Sequence, residues 1–178
     1  MSSKILSKRV QRMLSSRIKY PYARGYGSKV AGVINLASNE NPYGPSPRVI
    51  KALRQEVGQA SRYPDPQAKE LKKRIAKYVG VKPENIALGN GSDELLDLSY
   101  RLFLDQGERA VIPIPSFSMY EIACWSNGGH PAYFRLPNFT WPEEGLVRAL
   151  RQARLAILGR PNNPTGNGIS LGSLQHLL

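Results

Sequence analysis

Apolar positions along the chain follow two rhythms. Up to residue 80 they recur at helical spacing. Val49, Ile50, Leu53 and Val57 share one face behind Ser46-Pro47, an N-cap followed by proline at the first helical position, and Gly58 marks the stop. Leu71, Ile75, Tyr78 and Val79 form a second such face, which ends at Gly80 with Pro83 just beyond. Val33–Ala37 reads as a short strand, and Ser38–Pro47, with three prolines and a glycine, as an irregular loop. From Asn85 short apolar runs alternate with amphipathic stretches. Ile86–Leu88, Ala110–Ile114, Ala132–Leu136 and Leu155–Leu158 read as strands. Glu94–Leu104, Tyr120–Trp125, Pro142–Ala153 and a segment starting at Ser170 read as helices. In the first of these, Leu95, Leu96, Ser99, Leu102 and Phe103 are expected to face inward. The alternation predicts an α/β layered domain with a largely parallel sheet.

Composition narrows the classes. The 178 residues are 41% hydrophobic and 21% charged, a globular balance. No apolar run approaches the ~20 residues of a membrane span. The one cysteine, Cys124, forms no intramolecular disulfide, and with His130 and His176 alone cannot build a structural zinc site. The net charge of +12 is concentrated at the start: residues 1–29 carry eight Lys and Arg and no acid. That segment has apolar residues Ile5, Leu6, Val10, Met13, Leu14 and Ile18 at roughly helical spacing. It fits an amphipathic arm that docks on a partner subunit, a transit peptide, or a nucleic-acid arm.

Ligands of α/β sheets bind beyond the carboxyl ends of the strands, and three loops stand in such positions. Gly89-Asn90-Gly91-Ser92-Asp93 joins a strand to a helix start. Its glycines permit close backbone approach, and a helix N-terminus offers free N–H groups to a phosphate. The same residues also make a tight turn capped by Ser92 or Asp93. Pro113–Tyr120 is stiffened by two prolines, and Phe117 in it could stack on a planar ligand or fill the core. Arg160–Gly166 holds Asn162 and Asn163, whose carboxamides could donate to a phenolate oxygen or close an Asn-Pro turn.

Taken in order, NENPYGPSP, RYPDP, LGNGSDELLD, PIPSFSMY and RPNNPTG resemble the first half of a fold-type-I aminotransferase that uses pyridoxal 5′-phosphate. The pattern is most similar to the histidinol-phosphate aminotransferase branch and covers residues 20–178. The resemblance implies the N-terminal part of a three-layer α/β/α large domain (residues 35–178), truncated and preceded by a basic helical arm (residues 1–34). It implies that Gly91, Ser92 and Asp93 hold the cofactor phosphate. Phe117 would stack on the pyridine ring and Asn163 would hydrogen-bond the 3′ oxygen. Tyr63 would reach the phosphate in the neighbouring subunit of a homodimer. Tyr20, Tyr22 and Asn41 fall near the substrate side, and the two tyrosines favour the docking-arm reading of the N-terminus.

The parent reaction implied is amino transfer between histidinol phosphate and 2-oxoglutarate, in histidine biosynthesis and in the cytoplasm. The partners are a small phosphorylated amino or keto substrate and glutamate, with no membrane and no nucleic acid. Two departures matter. The chain has no lysine after Lys82 and no aspartate after Asp105, so the family's Schiff-base lysine and ring-nitrogen aspartate have no counterpart here. It therefore looks like an N-terminal fragment or split gene product, inactive alone, whose second half a further chain could supply. The same-fold rival is a threonine-phosphate decarboxylase-like enzyme. The rival from another class is a non-catalytic basic fragment that binds a polyanion, which a steep salt dependence would mark.

Overall fold

Alternate residues of strand β1 (Arg109–Ile114) enter two different cores. Ala110 and Ile112 pack with Tyr100 and Leu104, and with Ala123 and Cys124. Val111 packs on the opposite side with Phe134, Leu136, Leu146 and Ile169. That period of two is the signature of a strand buried on both faces. The computed structural model describes residues 6–15, 34, 36 and 38–177. They fall into two compact units, Met1–Pro21 with Gly89–Leu178, and Tyr22–Leu88. The boundary expected at residue 34 falls inside the second range.

The first unit is a three-layer α/β/α arrangement. Its parallel sheet has the order β2-β1-β3, with β2 at His130–Arg135 and β3 at Leu155–Ala156. Helices α4 (Gly91–Phe103) and α5 (Ser118–Ser126) cover one face. Helices α6 (Glu143–Leu150) and α7 (Leu171–Leu177) cover the other. Helix α1 (Lys8–Ser15) packs against α5 of its own chain. Close packing demands glycine at one corner. A Cβ on Gly129 would lie 2.2 Å from Leu104 Cδ2 and 3.0 Å from Cys124 Sγ.

β3 is shorter than the Leu155–Leu158 run expected, and Pro113 supplies the reason. The Ile157 N–H donates to Val111 O at 3.1 Å. The next rung on that side would need an N–H from Pro113, which has none. Helix α4 also departs from expectation. Its buried stripe is Leu96, Tyr100 and Leu104, with Tyr100 fully buried. Leu102 and Phe103 are exposed, and Leu95 lies on the outer face with Leu98, so the helix is apolar on two sides.

The second unit holds α2 (Pro47–Glu56) and α3 (Lys69–Val79). Ser46 caps α2 by accepting from Val49 N at 3.4 Å, and Gly80 ends α3 with φ +75°. Asp65 Oδ1 and Oδ2 accept from the N–H groups of Gln67 and Lys69, both at 3.0 Å, which organises the RYPDP turn into α3. The strand expected at Ile86–Leu88 does not form. Ile86 is extended, but the segment has no ladder partner among the described residues. Of the run Val33–Ala37 only Ile34 and Leu36 are described, and both are exposed outside any strand. The apolar faces read from the sequence in α2 and α3 exist as helical stripes but remain largely solvent-facing here, including Leu53, Val57, Leu71 and Tyr78. No described helix is long and apolar enough to cross a membrane.

Candidate active site

Three loops meet at one end of the sheet because of how the elements run. β1 and β3 are parallel, so the chain leaves both at the same end, into Pro115–Phe117 and Gly159–Gly166. Helix α4 enters β1 through the short connection 104–108 and packs on the same strand, so it runs back along it. A helix of 13 residues and a strand of six both span about 20 Å. The start of α4, at Gly91, therefore lies level with the carboxyl end of β1.

The α4 start is organised differently from the expected Ser92 or Asp93 cap. Asn90 is the N-cap residue, and Gly91 opens the helix with φ +79°, a conformation that favours glycine. Glu94 reaches back and accepts from the backbone N–H of Asn90 and from Asn90 Nδ2. The first-turn amides of Ser92 and Asp93 have no intrahelical acceptor. Ser92 Oγ lies 3.5 Å from Asp93 Oδ1. An anion would meet the amides and the Ser92 hydroxyl. The Asp93 carboxylate, of like charge, can serve only through its backbone.

Phe117 precedes α5 and is half-buried, with its ring edge-on to Tyr120 at 5.8 Å and 88°. It is held at the mouth of the sheet and belongs to neither buried core. Burial raises the Tyr120 phenol above its ordinary value. A side chain at Gly159 would displace its neighbours, since a Cβ there would lie 2.8 Å from the Tyr120 hydroxyl oxygen and 3.3 Å from Asn162 Cα.

The motif loop turns on Asn162, which is 2% exposed. Its Nδ2 donates to Pro115 O at 2.9 Å and to Thr165 Oγ1 at 2.8 Å. Its backbone N–H donates to Asn167 O, and its carbonyl accepts from Gly166 N, both at 2.7 Å. Thr165 Oγ1 in turn donates to Asn167 Oδ1, and Arg160 Nε donates to Ile169 O at 2.9 Å. Asn163, beside this clamp, is half-buried, and its carboxamide makes no hydrogen bond to a described residue. Asn162 Oδ1 and Ser118 Oγ are buried without a partner among the described residues. The loops thus offer spare polar capacity at the mouth of the sheet.

Of the residues singled out in the sequence, Gly91, Ser92, Asp93, Phe117 and Asn163 sit on these three loops. Asn41 and Tyr63 belong to the other unit. Asn41 closes a turn, accepting from Tyr43 N at 3.1 Å and donating to Gly44 O at 3.0 Å, and Tyr63 is fully exposed. Tyr20 and Tyr22 lie outside the described residues. The sequence offers Asn162 only as one of two loop carboxamides and does not reveal its clamping bonds, nor the close packing at Gly159. The doubled asparagine was the only hint of the first, and nothing local marks the second.

The sequence profile described as aminotransferase class I and II matches residues 31–178, and the chain belongs to that family. It is 32% identical over 176 residues to histidinol-phosphate aminotransferase of Methanocaldococcus jannaschii, covering 96% of this chain and 47% of that protein. Its structure is similar to that of histidinol-phosphate aminotransferase from Sinorhizobium meliloti in complex with pyridoxal-5′-phosphate. The TM-score is 0.81 at 29% identity, over 99% of this chain and 47% of the other. L-threonine-O-3-phosphate decarboxylase from Porphyromonas gingivalis is similar at a TM-score of 0.65 and 25% identity, over 76% of this chain and 41% of the other. The chain spans about half the length of the relatives it matches.

Proposed function

We propose that this chain carries the cofactor-holding N-terminal part of a pyridoxal-phosphate-dependent histidinol-phosphate aminotransferase. Amino transfer would run between histidinol phosphate and 2-oxoglutarate, in a cytoplasmic homodimer. The observation that carries the proposal is the convergence of the α4 start, the Phe117 loop and the Asn163 loop at one end of the sheet. The donor set suits the cofactor: amides and a hydroxyl for its phosphate, an aromatic ring for its plane, a carboxamide for its 3′ oxygen. Bound there, pyridoxal phosphate supplies an electron-withdrawing ring that stabilises negative charge developing on the substrate carbon.

The residues of this chain bind and orient. Ser92 Oγ and the amides of Ser92 and Asp93 would take the phosphate, assisted by the positive end of α4. Gly91, whose own N–H donates to Gly89 O at 2.9 Å, would allow close backbone approach. Phe117 would fix the ring plane, and Asn163 Nδ2 would donate to the 3′ oxygen and favour its ionised form. We assign Tyr63 to the phosphate of the partner subunit, and Tyr20, Tyr22 and Asn41 to the substrate side. The greater similarity to histidinol-phosphate aminotransferases, in both sequence and structure, favours that substrate over threonine phosphate.

The test is complementation. The natural gene, with whatever follows it in frame, is expressed in a histidine auxotroph that lacks histidinol-phosphate aminotransferase. Growth without histidine, lost on Asn163→Ala, supports the proposal. Threonine-phosphate decarboxylation by the purified protein, without rescue, contradicts it.

A further inference from the structure

We infer that Asn162 is a positioning residue that couples the Phe117 loop to the Asn163 loop, so that both sides of the cofactor ring are set by one buried carboxamide. The inference rests on the proposed roles of Phe117 and Asn163 and adds a residue that touches neither cofactor nor substrate.

Asn162 has the burial and bonding of a clamp. It lies 47 residues from Pro115 in sequence, yet donates to the Pro115 carbonyl two residues before Phe117. The same nitrogen donates to Thr165 Oγ1, and the backbone bonds to Asn167 and Gly166 close the turn around Asn163. Both Nδ2 protons are thereby used, one in each loop. The Asn163 carboxamide makes no hydrogen bond to a described residue, so its direction depends on the backbone that Asn162 fixes. Gly159 guards the same contact from below, because a side chain there would press on Asn162 Cα and the Tyr120 hydroxyl. An isosteric side chain without donors would take this donor from the Pro115 carbonyl and from Thr165 Oγ1, untying the two loops from each other and freeing the turn to move.

The experiment uses 4′-deoxypyridoxine 5′-phosphate, which keeps the phosphate, ring and 3-hydroxyl but has no aldehyde to react with the ten lysines. Affinity and the pH midpoint for ionisation of the bound 3-hydroxyl are measured for the 178-residue chain and for Asn162→Leu, Asn163→Ala and the double variant. The expected result is about a tenfold loss of affinity in Asn162→Leu, with the 3-hydroxyl midpoint moved upward, as in Asn163→Ala. In the Asn163→Ala background the Asn162 change should have a smaller effect, the part that remains acting through Phe117. An equal loss in both backgrounds, or an unmoved midpoint in Asn162→Leu, overturns the positioning role while leaving the cofactor reading intact. No loss in Asn163→Ala alone overturns the cofactor role of Asn163, and the inference falls with it. Where Asn162→Leu loses its near-UV circular dichroism, Thr165→Val carries the same prediction, since it removes one acceptor of the clamp from a half-buried position.

Discussion

The hydroxyl of Tyr100 donates to the backbone carbonyl of Tyr120 at 2.8 Å, joining α4 to the first turn of α5 inside the core. It links the helix that follows the glycine loop to the helix that follows Phe117. Tyr100→Phe keeps the ring and leaves the Tyr120 carbonyl without this donor. We expect a loss of about 1 kcal/mol, read as a fall in Tm of about 3 °C by differential scanning calorimetry. An unchanged Tm would show that the bond contributes nothing to the packing of the two helices.

Gly129→Ala should destabilise the first unit by about 1–3 kcal/mol, the usual cost of overpacking. The new methyl would overlap Leu104, itself buried, and press on the Cys124 sulfur and carbonyl. Urea unfolding followed by tryptophan fluorescence measures the change. Gly58→Ala, where a Cβ meets nothing within 4 Å, is the matched control and should not lower stability through packing.

Stability should fall on the alkaline side. Burial, aided by nearby Glu121, pushes the Cys124 thiol up to about 12 from its ordinary value near 9. Burial raises the Tyr100 phenol too, with Cys124 and Tyr120 as further causes. Above about pH 9 the unfolded chain loses its thiol proton while the folded chain keeps it until about pH 12. The unfolded state then binds fewer protons, so stability declines as pH rises through that window. The urea midpoint between pH 8 and pH 11 should drop, and drop less in Cys124→Ala.

The 178-residue chain alone should not transfer amino groups. Every lysine lies between residues 4 and 82. Within the unit that carries the three loops, the one lysine among the described residues is Lys8. It sits beside Gly107, Trp125 and His130, near the amino ends of β1 and β2 and away from the loops. Borohydride reduction in the presence of pyridoxal phosphate, followed by peptide mass mapping, should show no single stoichiometrically labelled lysine. One such lysine together with measurable transfer would contradict the expectation.

How far the sequence could be read depended on whether the cause was local. Ser46-Pro47 and Gly80 announce the ends of their helices because capping is settled within a few residues. The α/β alternation after residue 85 and the three loops were legible for the same reason. The two-residue length of β3 was not, because it depends on a proline in the neighbouring strand. Ile86–Leu88 has the composition of a strand, but a strand also needs a partner, which local sequence does not contain. Local sequence does not distinguish Tyr100 from Leu102 and Phe103 as the inward residues, because α4 is apolar on two faces and only packing decides which one meets the sheet. Asn162 was overshadowed by Asn163, since its function lies in a bond to a residue far along the chain.

In the proposed function the α4 start, the Phe117 loop and the Asn163 loop form one cofactor-phosphate and ring site. Amide hydrogen exchange of the 178-residue chain, with and without saturating 4′-deoxypyridoxine 5′-phosphate, tests it most directly. Within the unit that carries these loops, slowed exchange is expected at residues 91–94, 116–120 and 162–167 only, abolished together by Ser92→Ala combined with Asn163→Ala. Protection of only one of these segments, protection elsewhere in the unit that carries them, or no saturable binding at millimolar ligand would contradict it.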